Sequence, residues 1–532
     1  VLSLPRRTWT DAEAERFADE LTALLRTPTG TMRLRPIQAI ALIELAQCNG
    51  LFAPIRVGGG KTLVSALAPT VVGSTRPLLM LPGKLAEKTR REFDHLRLHW
   101  QMPDLYRVMS YELVGQPQSG VVLDTDGRVI TPDVITRYQP DLIFADECHR
   151  LRYHDRSVTR RTRRYLKTYP SCILACSSGT ITTASVLDYW YLLTRALGRG
   201  APLPIGRSLA EDWAQALDGD EQAVELGALT MLGGHDLHTT RLAYRDRLVQ
   251  TPGVVVFDRP FRDVPLSIDP LPLEAPPVVV EALEGLRDRW ELPDGSPLVE
   301  SLELWRHTRE LALGFYTRWD PPAPREWLDA RAEWSAQCRH ILTTNRRQLD
   351  SPEHVADAVR AGHYPEATDA LAAWVAIRDT FEPNPVPVWL HPFAVEAAAA
   401  WLEADGIVWC EHEPIGTRIA ELAGTTYFAA GARDRFGVYI EDARGPIVAS
   451  MNSCNEGINL QHKWSRNLIT SPPSNSKQIE QIIGRTHREG QRGAVSVEWL
   501  RTCDEHQDAY DRSLNLARYV EATTGQTQKV IQ

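Results

Sequence analysis

Over the first half of the chain, short apolar runs alternate with longer segments in which apolar residues recur every three or four positions. Pro77-Leu78-Leu79-Met80-Leu81, Leu142-Ile143-Phe144-Ala145 and Cys172-Ile173-Leu174-Ala175 carry no polar alternation, as strands buried on both faces do not. Strands of that kind separated by helices predict a parallel, doubly wound sheet over 31–258. Ahead of it, Thr10 and Glu13 stand at capping-box spacing, Phe17, Leu21, Leu24 and Leu25 follow at helical spacing, and Thr27-Pro28 with Gly30 stop the helix. Residues 1–30 are therefore expected to form a helical brace.

The texture changes over 259–386. Prolines at 265, 270, 272, 276 and 277 are followed by long helical patterns holding Trp290, Trp305, Trp319, Trp327, Trp334 and Trp374. This predicts a proline-stiffened linker and a helical insertion. From 387 to 532 the alternation returns. Val388-Trp389-Leu390, a helix from Phe393 to Ala404 stopped by Asp405-Gly406, then Ile447-Val448-Ala449, Leu468-Ile469 and Val495-Ser496-Val497 predict a second α/β lobe closed by a helix.

Composition narrows the class without changing this picture. The chain has 532 residues, 43% hydrophobic and 24% charged, which are globular values that exclude disorder, collagen-like repeats and a disulfide scaffold. The longest stretch free of charge, Thr168 to Leu187, is rich in Ser, Thr and Gly, unlike a membrane span. No charged-then-apolar leader opens the chain. The eight cysteines include no C-x-x-C pair, so reduced thiols in a soluble, cytoplasmic protein are expected. Arg outnumbers Lys 52 to 7, which fits a GC-rich bacterial or phage source. A net charge of −9 argues against a nucleic-acid partner, but its distribution argues back: Arg150 to Lys167 holds eight basic residues and one acid.

Two constellations carry chemistry. Gly58-Gly59-Gly60-Lys61-Thr62 opens a helical segment. Glycines let the backbone curl so that its N–H groups face phosphate oxygens, Lys61 reaches the β and γ phosphates, and the Thr62 hydroxyl suits Mg²⁺. A full phosphate loop has glycine six residues before the lysine, and here position 55 is Ile. The second constellation is Asp146-Glu147 at the end of an apolar strand, where α/β sheets place ligands. Asp146 suits Mg²⁺ and Glu147 suits orienting and deprotonating the attacking water of nucleotide hydrolysis.

Asp146-Glu147-Cys148-His149-Arg150-Leu151-Arg152 resembles motif II of superfamily 2 helicases, in particular the Swi/Snf-type DNA translocases. Other segments match that family in order. Leu34-Arg35-Pro36-Ile37-Gln38 resembles its adenine-reading segment, which implies Gln38 as a base contact. Leu79-Met80-Leu81-Pro82, Met109-Ser110-Tyr111-Glu112 and Ser178-Gly179-Thr180 resemble motif Ia, a Ser-Tyr-Glu segment and motif III. Glu456-Gly457-Ile458-Asn459-Leu460-Gln461 resembles motif V, and Gln481-Ile482-Ile483-Gly484-Arg485-Thr486-His487-Arg488-Glu489-Gly490-Gln491 resembles motif VI. Cys454-Asn455 stand where motif V usually has two glycines, and Cys148 where motif II has alanine.

The resemblance implies an α/β fold of two RecA-like doubly wound lobes with a helical insertion between them. It implies ATP and Mg²⁺, with Lys61, Asp146, Glu147 and Gln481 in the catalytic machinery, Arg485 and Arg488 as arginine fingers, and Gly457 at the nucleotide. DNA is the implied partner, duplex in the leading reading and single-stranded DNA or RNA in another. Candidate contacts are Lys84, Ser110, Ser178, Thr180 and the arginines 160, 161, 163 and 164, the last four being equally a solvated helix face. The tryptophans at 305, 319, 327 and 334 are either core or base-stacking residues. Three functions stay open: an ATP-driven motor on duplex DNA, a strand-separating helicase, and an ATP-gated clamp or adaptor.

Overall fold

A computed structural model describes residues 3–55, 58–116, 125, 133–179, 181–182, 184–218, 227–256, 264–296, 298, 301–344, 349–454 and 457–531. The chain divides into two compact units. One comprises Val1–Asp258, Pro324–Phe381 and Tyr519–Thr527, the other Arg259–Ala323, Glu382–Arg518 and Gln528–Gln532.

In the first unit, strands β1 (Leu51–Ala53), β2 (Pro77–Leu81), β3 (Arg107–Ser110), β4 (Leu142–Asp146) and β5 (Ile173–Ser177) form one parallel sheet in the order β1-β5-β4-β2-β3. Successive residues feed opposite faces. Leu78, Met80, Ile143 and Ala145 pack into one core, while Leu79, Leu81, Leu142 and Phe144 pack into the other. This is the reason these runs lack polar alternation: neither face meets water. The helix Asp11–Leu25 starts at Thr10 with the expected reciprocal capping box to Glu13, and its Ala18 and Leu25 join the second of those cores.

In the second unit the strands are β6 (Leu266–Pro272), β7 (Phe315–Trp319), β8 (Pro385–Trp389), β9 (Ile407–Cys410), β10 (Thr426–Phe428), β11 (Ile447–Ser450), β12 (Arg466–Ile469) and β13 (Val495–Arg501). Six of them build a parallel sheet in the order β10-β11-β9-β12-β13-β6. Alternation again fills two cores, with Ile407, Trp409, Ile447 and Ala449 on one side and Val408, Cys410, Val448 and Leu468 on the other. The α/β class read from the sequence is the one observed.

The segment 259–386 differs from the linker and helical insertion expected of it. Its proline-rich opening is β6, paired along its whole length with β13. An edge strand is where a sheet tolerates proline, and Pro270 and Pro272, two residues apart, fall on one side of it. β7 pairs antiparallel with β8, and its Phe315 and Tyr316 are buried in the second unit. Only Pro324–Phe381 is the helical insertion, and it packs with the first unit. Trp334 lies in its core with Cys338, Ile341, Val355 and Leu371. Trp327 is buried with its ring against Trp374 and Phe381. Both tryptophans are thereby removed from any role as base-stacking platforms. Trp305 and Trp319 are half-buried.

The basic run also has a different use from phosphate contact. It forms the helix Ser157–Thr168, and Arg161 is 1% exposed. Its guanidinium holds Asp350 of the insertion in two bonds, 3.1 and 2.9 Å, and donates to the Val114 carbonyl at 2.9 Å. Arg164 adds a third bond to Asp350 at 2.9 Å, and Arg160 donates to the Leu349 carbonyl at 3.1 Å. Arg163 lies over the Tyr191 ring. Burial pushes the Asp350 carboxyl up, but hydrogen bonds from His354 and Arg161 outweigh it and hold the group well below the usual carboxylate range. Arg161 is thus a buried clamp on the insertion, and its neighbours are largely spent on the same task.

Removing one partner of a buried ion pair leaves the other uncompensated, at a cost of about 3–5 kcal/mol. Arg161→Ala and Asp350→Ala are each expected to lower the unfolding midpoint of the first unit strongly and to expose 324–381 to protease. An unchanged midpoint in either variant would refute the clamp.

Candidate nucleotide site

All five strands of the first unit run parallel, so their carboxyl ends share one edge of the sheet. The candidate residues leave from that edge. β1 leads to the glycine loop, β2 to Lys84, β3 to Ser110, β4 to Asp146-Glu147 and β5 to Ser178.

The glycine loop turns through left-handed backbone at Gly58 (φ 87°) and Gly60 (φ 79°), and the helix Lys61–Val72 starts directly after it. A helix start leaves its first N–H groups outside the regular i−4 pattern, which makes this end a place for phosphate oxygens. Gln38 and Arg35 brace the loop from the preceding helix. The Gln38 amide accepts from Arg35 N at 2.8 Å and donates to the Gly60 carbonyl at 3.1 Å, and Arg35 donates to the Gly58 carbonyl at 3.0 Å. Gln38 is 4% exposed.

Lys61 reaches back across the loop. Its Nζ lies 3.3 Å from Glu147 Oε1 and donates to the Ile55 carbonyl at 3.3 Å. Glu147 holds left-handed backbone (φ 52°), unusual for a residue with a side chain. Its other oxygen accepts from Ser178 Oγ at 3.1 Å and lies 3.3 Å from His149 Nδ1. Ser178 Oγ and His149 Nδ1 are 2.9 Å apart. A hydroxyl has one proton; with Ser178 donating to Glu147, His149 must carry its hydrogen on Nδ1 and donate to Ser178.

Asp146 accepts from Ser177 Oγ at 2.8 Å, and its backbone carbonyl accepts from the Tyr111 hydroxyl at 2.7 Å. Removal from bulk water and the neighbouring Glu147 charge push its carboxyl up to about 6, against the opposing pull of Lys61. The donor set fits Mg²⁺, a hard ion that takes one or two carboxylates and completes its shell with water and phosphate. Asp146 would hold the ion, with the half-buried Thr62 in the first turn of the neighbouring helix.

The remaining expected contacts fall into distinct places. Lys84 is exposed in the first turn of the helix Gly83–Leu96. Ser110 caps the next helix, accepting from Leu113 N at 3.0 Å. Ser178 is fully buried and committed to Glu147 and His149, so it is not a nucleic-acid contact. Thr180 lies outside the described residues.

In the second unit the segments resembling motifs V and VI are laced together. The helix Ser476–Thr486 carries Gln481 and Arg485, both 3% exposed. Arg485 donates to the carbonyls of Gln481 and Ile458, each at 2.9 Å, and its own carbonyl accepts from Leu460 N at 3.1 Å. Arg488 is half-buried and donates to Asn459 Oδ1 at 2.7 Å. Gly457 takes left-handed backbone (φ 73°) at the start of the laced segment. Arg485, implied as a finger, is thus held inside its own unit; Arg488 is the more accessible of the two.

One contributor had no signal in the sequence. Gln526, 1% exposed, donates through Nε2 to the Gly179 carbonyl at 2.7 Å, next to Ser178. A single glutamine in a polar stretch is not distinguishable by pattern, and only the fold brings it to the site.

No family model and no curated protein matches the chain. Among solved structures it is similar to the Sulfolobus solfataricus SWI2/SNF2 ATPase core in complex with dsDNA, at 12% identity and a TM-score of 0.33, over 93% of this chain and 95% of that one. At this identity and score the likeness bears on neither activity nor ligand. The functional reading rests on the chain's own residues.

A Cβ at position 60 would stand 2.1 Å from Gln38 Nε2, on backbone that disfavours any side chain. Gly60→Ala is expected to weaken binding of a fluorescent ATP analogue by about tenfold. Unchanged affinity would remove the glycine loop from the site.

Proposed function

We propose that the protein is an ATP-driven motor that moves along double-stranded DNA. The observation that carries the nucleotide half of this reading is the Lys61–Glu147 pair, 3.3 Å apart beneath the left-handed glycine turn and beside Asp146. A lysine at a helix start, an acid poised to orient water and a second acid suited to Mg²⁺ form the parts list of phosphoryl transfer to water. The DNA half rests on the order of the helicase-like segments along the chain.

In the resting site Lys61 is held by Glu147. Phosphate oxygens arriving at the loop compete for the ammonium, and Glu147 is freed to orient the attacking water and take its proton. Mg²⁺, when bound, neutralises developing phosphate charge. Ser178 couples the state of Glu147 to the neighbouring Gly179, whose carbonyl Gln526 holds. The resemblance of its segment to motif VI makes Arg488 the candidate for the positive charge that stabilises the transition state. Arg485 fixes the backbone of 457–460, from which Arg488 is aimed. Binding and loss of ATP then alternate between two arrangements with different hold on DNA.

Hydrolysis measured with duplex DNA, single-stranded DNA and RNA discriminates the readings, and stimulation by RNA alone would sink the motor on duplex DNA. An intact Lys61, Glu147 and Arg488 weigh against a clamp that binds ATP without turnover. Lys61→Ala is expected to abolish hydrolysis, and Glu147→Gln to leave ATP bound and uncleaved; normal turnover in either variant refutes the site. Arg488→Ala should lose turnover at nearly unchanged nucleotide affinity and unfolding midpoint. Arg485→Ala should lower the midpoint as well, because it leaves buried carbonyls without their donor, a loss of about 1–3 kcal/mol each.

A further inference from the structure

Between β10 and β11 the chain makes a tight hairpin whose tip carries no role in the nucleotide site. Ala429 N donates to the Arg433 carbonyl and Asp434 N to the Val438 carbonyl, both at 3.0 Å, and Arg433 bridges Tyr439. At the tip the Asp434 carboxylate accepts from the backbone N–H groups of Phe436 and Val438, at 2.9 and 2.8 Å. Arg433 Nη1 donates to the Gly437 carbonyl at 2.6 Å. The turn is therefore preorganised by hydrogen bonds of its own. What it presents is Phe436, 76% exposed, with the Arg435 guanidinium 4.8 Å above its ring.

A rigid turn that spends backbone bonding to hold a phenylalanine in water needs a partner for it. The sole carboxylate at the tip is folded onto backbone amides, which leaves Arg433 and Arg435 as its exposed charges. A groove of about 630 Å³ lies against the hairpin, lined by its Arg433, Asp434, Arg435 and Phe436 and by Glu413 and Glu421 of the helix Glu413–Leu422, so an anionic partner is met by the arginines and not by the glutamates. An apolar wedge flanked by arginines fits a duplex, with the guanidinium on phosphate and the ring against a base step in the minor groove.

The base of the hairpin is wired to the ATPase machinery of the second unit. Glu441 Oε1 accepts from Asn459 N at 2.7 Å, and Asn459 Oδ1 accepts from Arg488 at 2.7 Å. Lys463 ties the same turn down, donating to the Ala443 carbonyl at 2.7 Å and to that of Glu441. A displacement of the hairpin is thus passed through one carboxylate and one amide to the arginine assigned to the transition state.

We infer that the hairpin 429–443 is a double-stranded DNA contact, with Phe436 and Arg435 as its reading tip and Glu441–Asn459 as its link to Arg488. The inference rests on the motor reading and adds a surface to it. Phe436 replaced by p-benzoylphenylalanine should photo-cross-link to a bound duplex, whereas the same replacement at Leu422, 57% exposed on the same unit, should not. Phe436→Ala and Arg435→Gln should each weaken duplex binding by about tenfold and keep the wild-type unfolding midpoint. A chain that binds duplex by anisotropy but cross-links no better from 436 than from 422 overturns the hairpin alone. A wild-type chain that binds no duplex overturns the hairpin and the motor together.

Discussion

A parallel strand buried on both faces can place polar chemistry only at its ends, and this constraint organises the first unit. Every interior position of β2 and β4 is committed to one of two apolar cores. Because all five strands run the same way, their polar ends gather on one edge without any long-range design of individual side chains. The glycine loop, the acid pair and Ser178 are brought together as a by-product of covering the sheet with helices. What remains for specific bonding is local, and Ser178, His149, Gln38 and Tyr111 supply it over distances of about 3 Å.

Where charge in this protein is dense, it is largely structural. The run from Arg150 to Lys167 looks from composition alone like a polyanion track, yet Arg161 is buried against Asp350, a residue 189 positions further on. Long-range pairing of that kind leaves no local trace. The desolvation of both ions is offset only because Asp350 receives three guanidinium bonds and a contact from His354 at 3.1 Å. Lys61, by contrast, stands alone in its stretch of sequence and lies 3.3 Å from Glu147 with Asp146 beside it.

These cases set what the amino-acid pattern could and could not reveal. Asp146-Glu147 and the glycine loop were legible because they combine residue type with position at the end of an apolar run, and both depend on neighbours in sequence. The helix cap at Thr10 was legible for the same reason. β6 was not, because the prolines that announce a linker are also compatible with the outer side of an edge strand. The fate of Arg161 and the arrival of Gln526 at Gly179 were not, since their partners lie 189 and 347 positions away. The tryptophans at 327 and 334 were ambiguous in sequence, and burial among other rings decides them.

The two arginines of the segment resembling motif VI illustrate the same division within a single helix end. Arg485 sits in the last turn of the helix and faces inward, where the carbonyls of Gln481 and Ile458 accept its side-chain N–H groups. Arg488 follows the last turn, where the backbone has left the helix, and its side chain bonds Asn459, an exposed residue. Three residues and the end of a helix thus convert identical side chains into a brace and a charged tip. A guanidinium that is to act on a phosphate has to give up its resting partners at little cost; a bond to an exposed amide such as that of Asn459 suits that requirement better than bonds to carbonyls in a dry interior.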